Sequence, residues 1–356
     1  MRGDAHKRWR YVPQGIVMVC LLACGSGAIA GEDGASTKVM FSGHSLLDNP
    51  LPDWVERIVR SKDGSLKWEE QIIIGSPVRV RTWGDGGWSG YRKGKNRGGD
   101  DRDIMSELQQ PQDGKPYDVL VLAESHSVLG AIIWEDAVGY LRHFHDRFTE
   151  GNPAGRTFYY HAWLDIDKTA PAAWLEHEKN SETVWQCIVD RVNLSLSDEE
   201  RPATLQVMPA GEALTELVRR ILSGDIPELP GPPRQQLDRV FSDDVHMTEL
   251  GAYYLAALHY AVLFGKTPEG AAAPSDVSPK LALALQRLAW FVAGRHQDES
   301  RSHKADMSMC RTEITKKACI SYWTLKGEPG EIANCRSFFS RTLQEQGGNP
   351  FVWPLE

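Results

Sequence analysis

Residues suited to nucleophilic catalysis lie in two short segments that are far apart in this sequence. Ser45 follows an apolar segment, residues 38–42, and sits in the run GHSL. A serine on a tight, glycine-containing turn between a strand and a helix exposes its hydroxyl group and brings backbone N–H groups close to whatever it attacks. Ser45 is therefore a candidate nucleophile.

The second segment holds a carboxylate and an imidazole. Asp243 lies three residues before His246, in a loop that precedes a predicted helix. A carboxylate at this spacing can orient an imidazole and stabilise its charged form while the imidazole accepts the proton of a serine. Asp244 is the alternative candidate for the carboxylate that orients the His246 imidazole. A purely structural alternative stays open, because Gly-containing turns often follow strands and Asp often caps helices.

Short apolar runs alternate with helix-like segments along the chain. The pattern predicts strands at residues 38–42, 68–74, 118–123, 157–161 and 204–208. It predicts helices at residues 52–60, 101–109, 130–148, 181–193, 210–222, 248–263 and 280–293. Strands separated by helices indicate a parallel sheet covered on both faces, because parallel strands need crossover connections. Ligands of such sheets bind beyond the carboxyl ends of the strands, which is where Ser45 falls.

Together the two segments resemble the motifs of the SGNH, or GDSL-type, hydrolase superfamily. The GHSL run is similar to its first motif, with His where Asp is usual, and DDVH is similar to its last, D-x-x-H. The resemblance covers about residues 38–265 and implies a three-layer α/β/α sandwich with a five-stranded parallel sheet, the flavodoxin-like fold of this superfamily. It implies Ser45 as nucleophile, His246 as general base and then acid, and Asp243 as the orienting carboxylate.

The same resemblance implies an oxyanion hole built from the serine N–H, a glycine N–H after the second strand and an asparagine side chain after the third. Ser45 and Gly75 match the first two groups. The third departs from the pattern, because the strand runs into LAESH without an asparagine. A carboxylate donates a hydrogen bond only when protonated, so Glu124 is a poor replacement, whereas Ser125 or His126 could donate.

Three side chains are candidates for binding a substrate. Asn96 lies in the glycine-rich segment 83–100 and is also a second replacement for the missing asparagine. His126 follows the third predicted strand. Trp163 follows the aromatic fourth strand and could flank a sugar, with core packing as the alternative.

These residues predict a serine esterase that hydrolyses ester bonds, with O-acetyl groups on carbohydrate as the favoured substrate and a small-molecule or glycan ester as the ligand. A lipolytic esterase or lysophospholipase is one alternative. A non-catalytic carbohydrate- or envelope-binding protein with a degenerate oxyanion hole is another. The mechanism requires no metal and no organic cofactor.

The first thirty residues are typical of a secretory signal. Four basic residues precede the apolar run IVMVCLLA, and Ala28-Ile29-Ala30 resembles a cleavage site. The segment LLAC resembles a bacterial lipobox, and in that alternative Cys24 carries a lipid anchor. We therefore expect a secreted or periplasmic protein, in soluble or lipid-anchored form.

Charge narrows the range of partners. The 356 residues include 40 basic and 48 acidic side chains, for a net charge of −8. Removal of residues 1–30 leaves 36 and 47, or −11. A net negative charge disfavours binding to the phosphate backbone of nucleic acids. For the same reason we expect a neutral acylated glycan, and not an anionic one, as the substrate. We predict no transmembrane segment in the mature chain, because no apolar run reaches the roughly 18 residues of a spanning helix.

Residues 276–356 are expected to form a helical, cysteine-containing extension. Four cysteines remain after the signal, at positions 187, 310, 319 and 335. In an exported protein they can form two disulfides, although sequence alone does not fix the pairing. Cys319 with Cys335 is favoured because it closes a turn-rich loop, and Cys187 with Cys310 would then tie the extension to the main domain. Zinc is the competing interpretation, but no C-x-x-C pair is present.

Overall fold

The computed structural model describes residues 36–82, 90, 96–100, 103–111, 113–342 and 348–353. The predicted export signal, with Cys24, and most of the glycine-rich segment lie outside these residues. Within the described part of the chain, no helix is long and apolar enough to cross a membrane.

Five parallel strands form one sheet in the order β2-β1-β3-β4-β5. They are β1 (Thr37–Gly43), β2 (Leu66–Ile72), β3 (Val119–Ala123), β4 (Arg156–Tyr160) and β5 (Leu205–Met208). All five predicted strands are confirmed. The winding direction changes between β1 and β3, and ligands of doubly wound sheets bind in the crevice at such a switch point.

Burial explains the sequences of the central strands. Every residue of β1 and β3 is buried, so these strands read as continuous runs of mostly apolar residues and not as an alternating pattern. Exposed residues appear only at Lys67 of β2 and Gln206 of β5, which are the two edge strands.

Thirteen α-helices accompany the sheet in the described part of the chain. They are α1 (Leu51–Ser61), α2 (Val78–Thr82), α3 (Ile104–Gln109), α4 (Val128–Trp134), α5 (Ala137–Gly151), α6 (Ala172–Asp198), α7 (Ala210–Leu222), α8 (Pro233–Asp238), α9 (Glu249–Phe264), α10 (Pro279–Ser302), α11 (Met307–Glu313), α12 (Cys319–Leu325) and α13 (Ile332–Ser340). A π-helical turn, Ile314–Ala318, joins α11 to α12.

The helices form two layers. On one face α9 packs against α1, and His259 of α9 lies beside Phe41 of β1 and Tyr160 of β4. On the other face α3, α5 and α6 pack side by side, and Trp185 of α6 contacts Tyr159 of β4. The three-layer α/β/α prediction is therefore confirmed.

The prediction of one helix over residues 130–148 is wrong. The segment forms two helices, because Asp136 adopts a left-handed conformation with φ 48° between α4 and α5. Its side chain accepts a hydrogen bond from the N–H of Gly139 and caps α5. The break leaves Trp134 at the end of α4 with 66% of its surface exposed.

The C-terminal helices continue the main core. Helix α10 packs on α9 and α7, whereas α11, α12 and the π-helical turn pack on α6. Disulfides join Cys187 of α6 to Cys310 of α11 and Cys319 of α12 to Cys335 of α13. Both favoured pairings are confirmed, and disulfides of this kind are typical of exported proteins.

The two disulfides should differ in their contribution to stability. Replacing Cys187 and Cys310 by Ser should lower the free energy of unfolding by about 2–5 kcal/mol, because it releases a long loop in the unfolded chain. The bonded cysteines are 123 residues apart, against 16 for Cys319 and Cys335. From chain entropy alone, loss of the Cys319–Cys335 disulfide should lower the free energy of unfolding by about 2 kcal/mol less than loss of the Cys187–Cys310 disulfide. Urea denaturation of the two double variants tests this order, and a larger loss for the shorter loop would contradict it.

Candidate active site

Three side chains predicted to act together form a hydrogen-bonded chain at the carboxyl end of the sheet. His246 Nε2 lies 2.9 Å from Ser45 Oγ, and His246 Nδ1 lies 2.6 Å from Asp243 Oδ2. Because the carboxylate can only accept, Nδ1–H donates to Asp243 and Nε2 is left to accept the serine proton. Ser45 and His246 are 201 residues apart in sequence, so only the fold brings them together.

Asp243 is held in its charged form. Partial burial by itself would raise its pKa, but hydrogen bonds from the backbone N–H groups of His246 and Val245 and from the His246 ring outweigh it. The pKa of Asp243 is about 2 as a result. The structure also distinguishes the neighbouring acids, because the imidazole N–H donates to Asp243 and not to Asp244.

The loop after β4 holds the segment that carries Asp243 and His246. Trp163 Nε1 donates to the carbonyl oxygen of Val245 at 2.9 Å, and the N–H of Ile166 donates to that of Asp244 at 2.8 Å. Trp163 is fully buried. This burial favours the core-packing alternative for Trp163, whose indole N–H holds the loop that carries His246. A substrate contact by Trp163 stays a prediction.

His44 fixes the turn that carries the nucleophile. Burial, and after it the charge of Arg81, lowers the pKa of His44 to about 3, so the ring is neutral. His44 Nε2–H donates to the carbonyl oxygen of Glu124 at 2.8 Å, and the N–H of Leu47 donates to the His44 carbonyl oxygen. The histidine that replaces the usual acid in the GHSL run thus joins the turn after β1 to the end of β3.

Arg81 connects three loops beneath the site, and sequence reasoning missed it. This fully buried side chain donates from Nη1 to Ser76 and from Nε to Ser42 Oγ at 3.2 Å. It also donates from Nη2 to the carbonyl oxygen of Ala123. Burial lowers its pKa to about 10, and the charge of Glu124 opposes this effect. No sequence signal distinguished Arg81 from the other basic residues of its segment.

Register places Gly75 beside the serine turn. The N–H of Ile73 donates to the carbonyl oxygen of Gly43, so Gly75 and Ser45 each lie two residues beyond one paired position. Gly75 has φ 69°, which a glycine adopts readily. Its neighbour Ser76 is held by Arg81. This arrangement is compatible with the predicted role of Gly75 as an oxyanion donor.

Glu124 is the residue that directly follows β3, where the sequence resemblance predicts an asparagine. Its Oε1 accepts hydrogen bonds from the backbone N–H groups of Ser125 and Val78. Because the N–H of Ser125 already donates to Glu124, only the Ser125 hydroxyl can donate to an oxyanion. Its Oε2 is buried and has no hydrogen-bond partner among the described residues. Burial raises the pKa of Glu124 to about 7, against those N–H groups and Arg81, which lower it.

The other predicted binding residues differ in position. His126 lies next to the site, since its ring centroid is 6.3 Å from that of His44 and the charge of His246 acts on it. Asn96 is buried, and its two hydrogen bonds close its own loop. Its side-chain oxygen accepts from the backbone N–H of Asp100 at 2.8 Å, and its backbone N–H donates to the carbonyl oxygen of Asp100 at 2.9 Å. A substrate contact by Asn96 stays a prediction.

A small cavity opens beside the nucleophile. It measures about 260 Å³ and lies between Ser45, His246 and the start of α1, with Leu46 and Leu255 among its walls. A larger cleft of about 360 Å³ lies between α6, β5 and α10, and neither Ser45, His246 nor Asp243 lines it. Within the described residues there is no cluster of three or more side chains suited to binding a metal ion.

No family model matches the sequence, and no curated protein matches it. A solved structure of a DUF4886 family protein from Bacteroides uniformis is similar, with 14% identity and a TM-score of 0.49. The similarity covers 72% of this chain and 95% of that chain. It is too distant to carry an argument, so the geometry of the site must do so.

The raised pKa of Glu124 has a measurable consequence. Its carboxyl titrates ordinarily at 4.5 and in the folded protein at about 7. Between these values the folded state retains a proton that the unfolded state has lost, so this group destabilises the fold increasingly as pH rises. The unfolding free energy of Glu124→Gln, relative to that of wild type, should therefore rise by about 1–3 kcal/mol as the pH increases from 4.5 to 7.

Urea titrations of both proteins at pH 4.5, 6 and 8 measure this difference. It should stop growing above about pH 7, where both states are ionised. A difference that stays constant, or shrinks as pH rises, would show that Arg81 stabilises the ionised carboxylate more than burial destabilises it.

Proposed function

We propose that the chain is an exported serine esterase of the SGNH type. The observation that carries the proposal is the chain of hydrogen bonds from Asp243 through His246 to Ser45, at 2.6 and 2.9 Å. It lies at the switch point of a five-stranded parallel sheet, where ligands of such folds bind. The two disulfides support the exported location.

The reaction follows from the proton arrangement. His246 Nε2 takes the Ser45 proton as Oγ attacks the ester carbonyl, and Asp243 stabilises the imidazolium that forms. The N–H groups of Ser45 and Gly75 receive the oxyanion, with the Ser125 hydroxyl as third donor. His246 then gives its proton to the leaving alcohol. Water repeats the attack on the acyl-enzyme and releases the acid.

The favoured substrate is an O-acetyl group on a carbohydrate. The cavity of about 260 Å³ beside Ser45 is small compared with the roughly 300–1,000 Å³ of pockets that enclose whole small molecules. It therefore suits an acyl group, and the alcohol part of the ester must lie outside it. A neutral glycan alcohol fits the acidic chain better than an anionic one.

A lipolytic esterase is the second candidate, and one observation favours it. Ile74, directly before Gly75, exposes 69% of its surface near the site. An exposed apolar side chain at the rim could contact an acyl chain or a lipid surface.

Substitutions in the proposed triad should give graded losses of activity. Ser45→Ala should reduce p-nitrophenyl acetate hydrolysis to background and abolish labelling by a fluorophosphonate probe, because the nucleophile is gone. Asp243→Asn should lower kcat by about 10²–10⁴-fold, since the amide favours the wrong tautomer of His246. Asp244→Asn is the matched control and should stay within about twofold of wild type. Labelling that persists in Ser45→Ala would overturn the esterase proposal.

Acyl-chain length separates the two enzymatic candidates. With p-nitrophenyl esters from acetate to decanoate, kcat/KM should fall as the chain outgrows the small cavity. Widening the cavity with Leu255→Ala should move the optimum toward longer esters. Activity that rises steadily with chain length in the wild-type enzyme would favour the lipolytic candidate.

A further inference from the structure

The described chain has one strongly exposed tryptophan near the proposed active site. Trp134 exposes 66% of its surface at the end of α4, the helix that starts two residues after His126. It does not project freely from that end. Two of its ring carbons lie 3.0 and 3.2 Å from the point that a Cβ on Gly130 would occupy. The ring therefore lies back along the helix, toward its N-terminal end.

That direction leads toward Ser127 and His126 at the start of the helix. The Cβ of Ser127 lies 3.9 Å from the same point above Gly130, so the ring and Ser127 are neighbours. Ser127 directly follows His126, on which the charge of His246 acts. A side chain at position 130 would crowd the ring, which would have to shift by a few tenths of an ångström. Gly130 thus leaves room for a flat aromatic surface on the helix that follows His126.

The C-terminal extension supports the ring from the other side. Trp323 of α12 makes an edge-to-face contact with Trp134, with ring centroids 6.5 Å apart at 75°. The Ser127 side chain interacts with the hydroxyl of Tyr322, and the charge of Lys326 acts on His126. Both disulfides fix the helices of this extension. The extension therefore packs against Trp134 and acts electrostatically on His126.

The surroundings of the ring are polar. Glu135, the next residue, pairs with Arg79 of α2 at 2.6 Å. Ser127 lies close to Gly130, and the charge of Lys326 acts on His126. A single flat aromatic face inside a polar rim matches a pyranose ring, which presents C–H groups on its faces and hydroxyls around its edge. A lipid chain would instead require a continuous apolar surface.

We propose that Trp134, supported by Trp323, is a carbohydrate-binding platform that stacks on a sugar ring of the alcohol part of the ester. The inference deepens the proposed function and rests on it for the position of the ester. The acyl group would occupy the cavity between α1 and His246, and the glycan would extend over His126 toward Trp134. This assigns to the C-terminal extension a role in substrate binding.

Kinetics on two substrates test the platform. Trp134→Ala should raise KM for O-acetylated xylo-oligosaccharides about tenfold, which is the size expected for loss of one aromatic contact, and Trp134→Tyr should largely restore it. Turnover of p-nitrophenyl acetate should stay unchanged, because this ester carries no sugar. Trp290→Ala is the matched control, since Trp290 is 38% exposed and lines the distant cleft. Equal KM values for Trp134→Ala and Trp290→Ala would overturn the proposal.

A binding measurement separates the platform from catalysis. Isothermal titration of Ser45→Ala with xylo-, cello- and chito-oligosaccharides should detect binding that is lost in Ser45→Ala/Trp134→Ala and kept in Ser45→Ala/Trp290→Ala. Such binding would support the platform even if no ester were turned over, which would refute only the esterase. The platform is wrong if no oligosaccharide binds at millimolar concentration, or if Trp134 is instead required for sedimentation with phosphatidylcholine vesicles.

Discussion

The burial of one positive charge organises the carboxyl end of the sheet. A buried guanidinium is tolerated only where acceptors satisfy its N–H groups. Arg81 finds them at the end of β1, in the loop after β2 and at the end of β3. The segments that carry Ser45, Gly75 and Ser125 are therefore held in one arrangement. Loss of any of these acceptors would leave a buried donor unpaired, so the spacing of the three segments is coupled.

The other half of the site is tied to global folding. His246 lies just before α9, which is buried on almost every side between the sheet, α1 and α10. Trp163 adds a hydrogen bond from the loop after β4 to the same segment. The contact between His246 and Ser45 thus requires the first strand and the last helix of the three-layer unit to be in place together. The geometry of the site is a property of the whole fold.

The C-terminal extension belongs to this arrangement. Its helices share the core with the sheet and are fixed by two disulfides, one of which reaches α6. Through α12 the extension brings Trp323 against Trp134 and the charge of Lys326 toward His126. In the proposed arrangement the acyl group occupies the cavity beside α1 and α9, and the sugar stacks on Trp134, which Trp323 of α12 contacts.

The sequence by itself determined the five strands, the three-layer class and the three residues of the hydrogen-bonded chain. It favoured the two disulfide pairings, but the tertiary structure fixed them. The strands, the fold class and the three residues have local signals, because strand burial, turn residues and the D-x-x-H spacing are patterns of residues that are close together in sequence. Tertiary structure alone decided the rest. The break at Asp136 depends on a single left-handed residue, and the burial of Arg81, Glu124 and Trp163 depends on partners far away in sequence. Charge and aromaticity are visible in a sequence, but whether a side chain is enclosed or exposed is fixed only when distant segments pack.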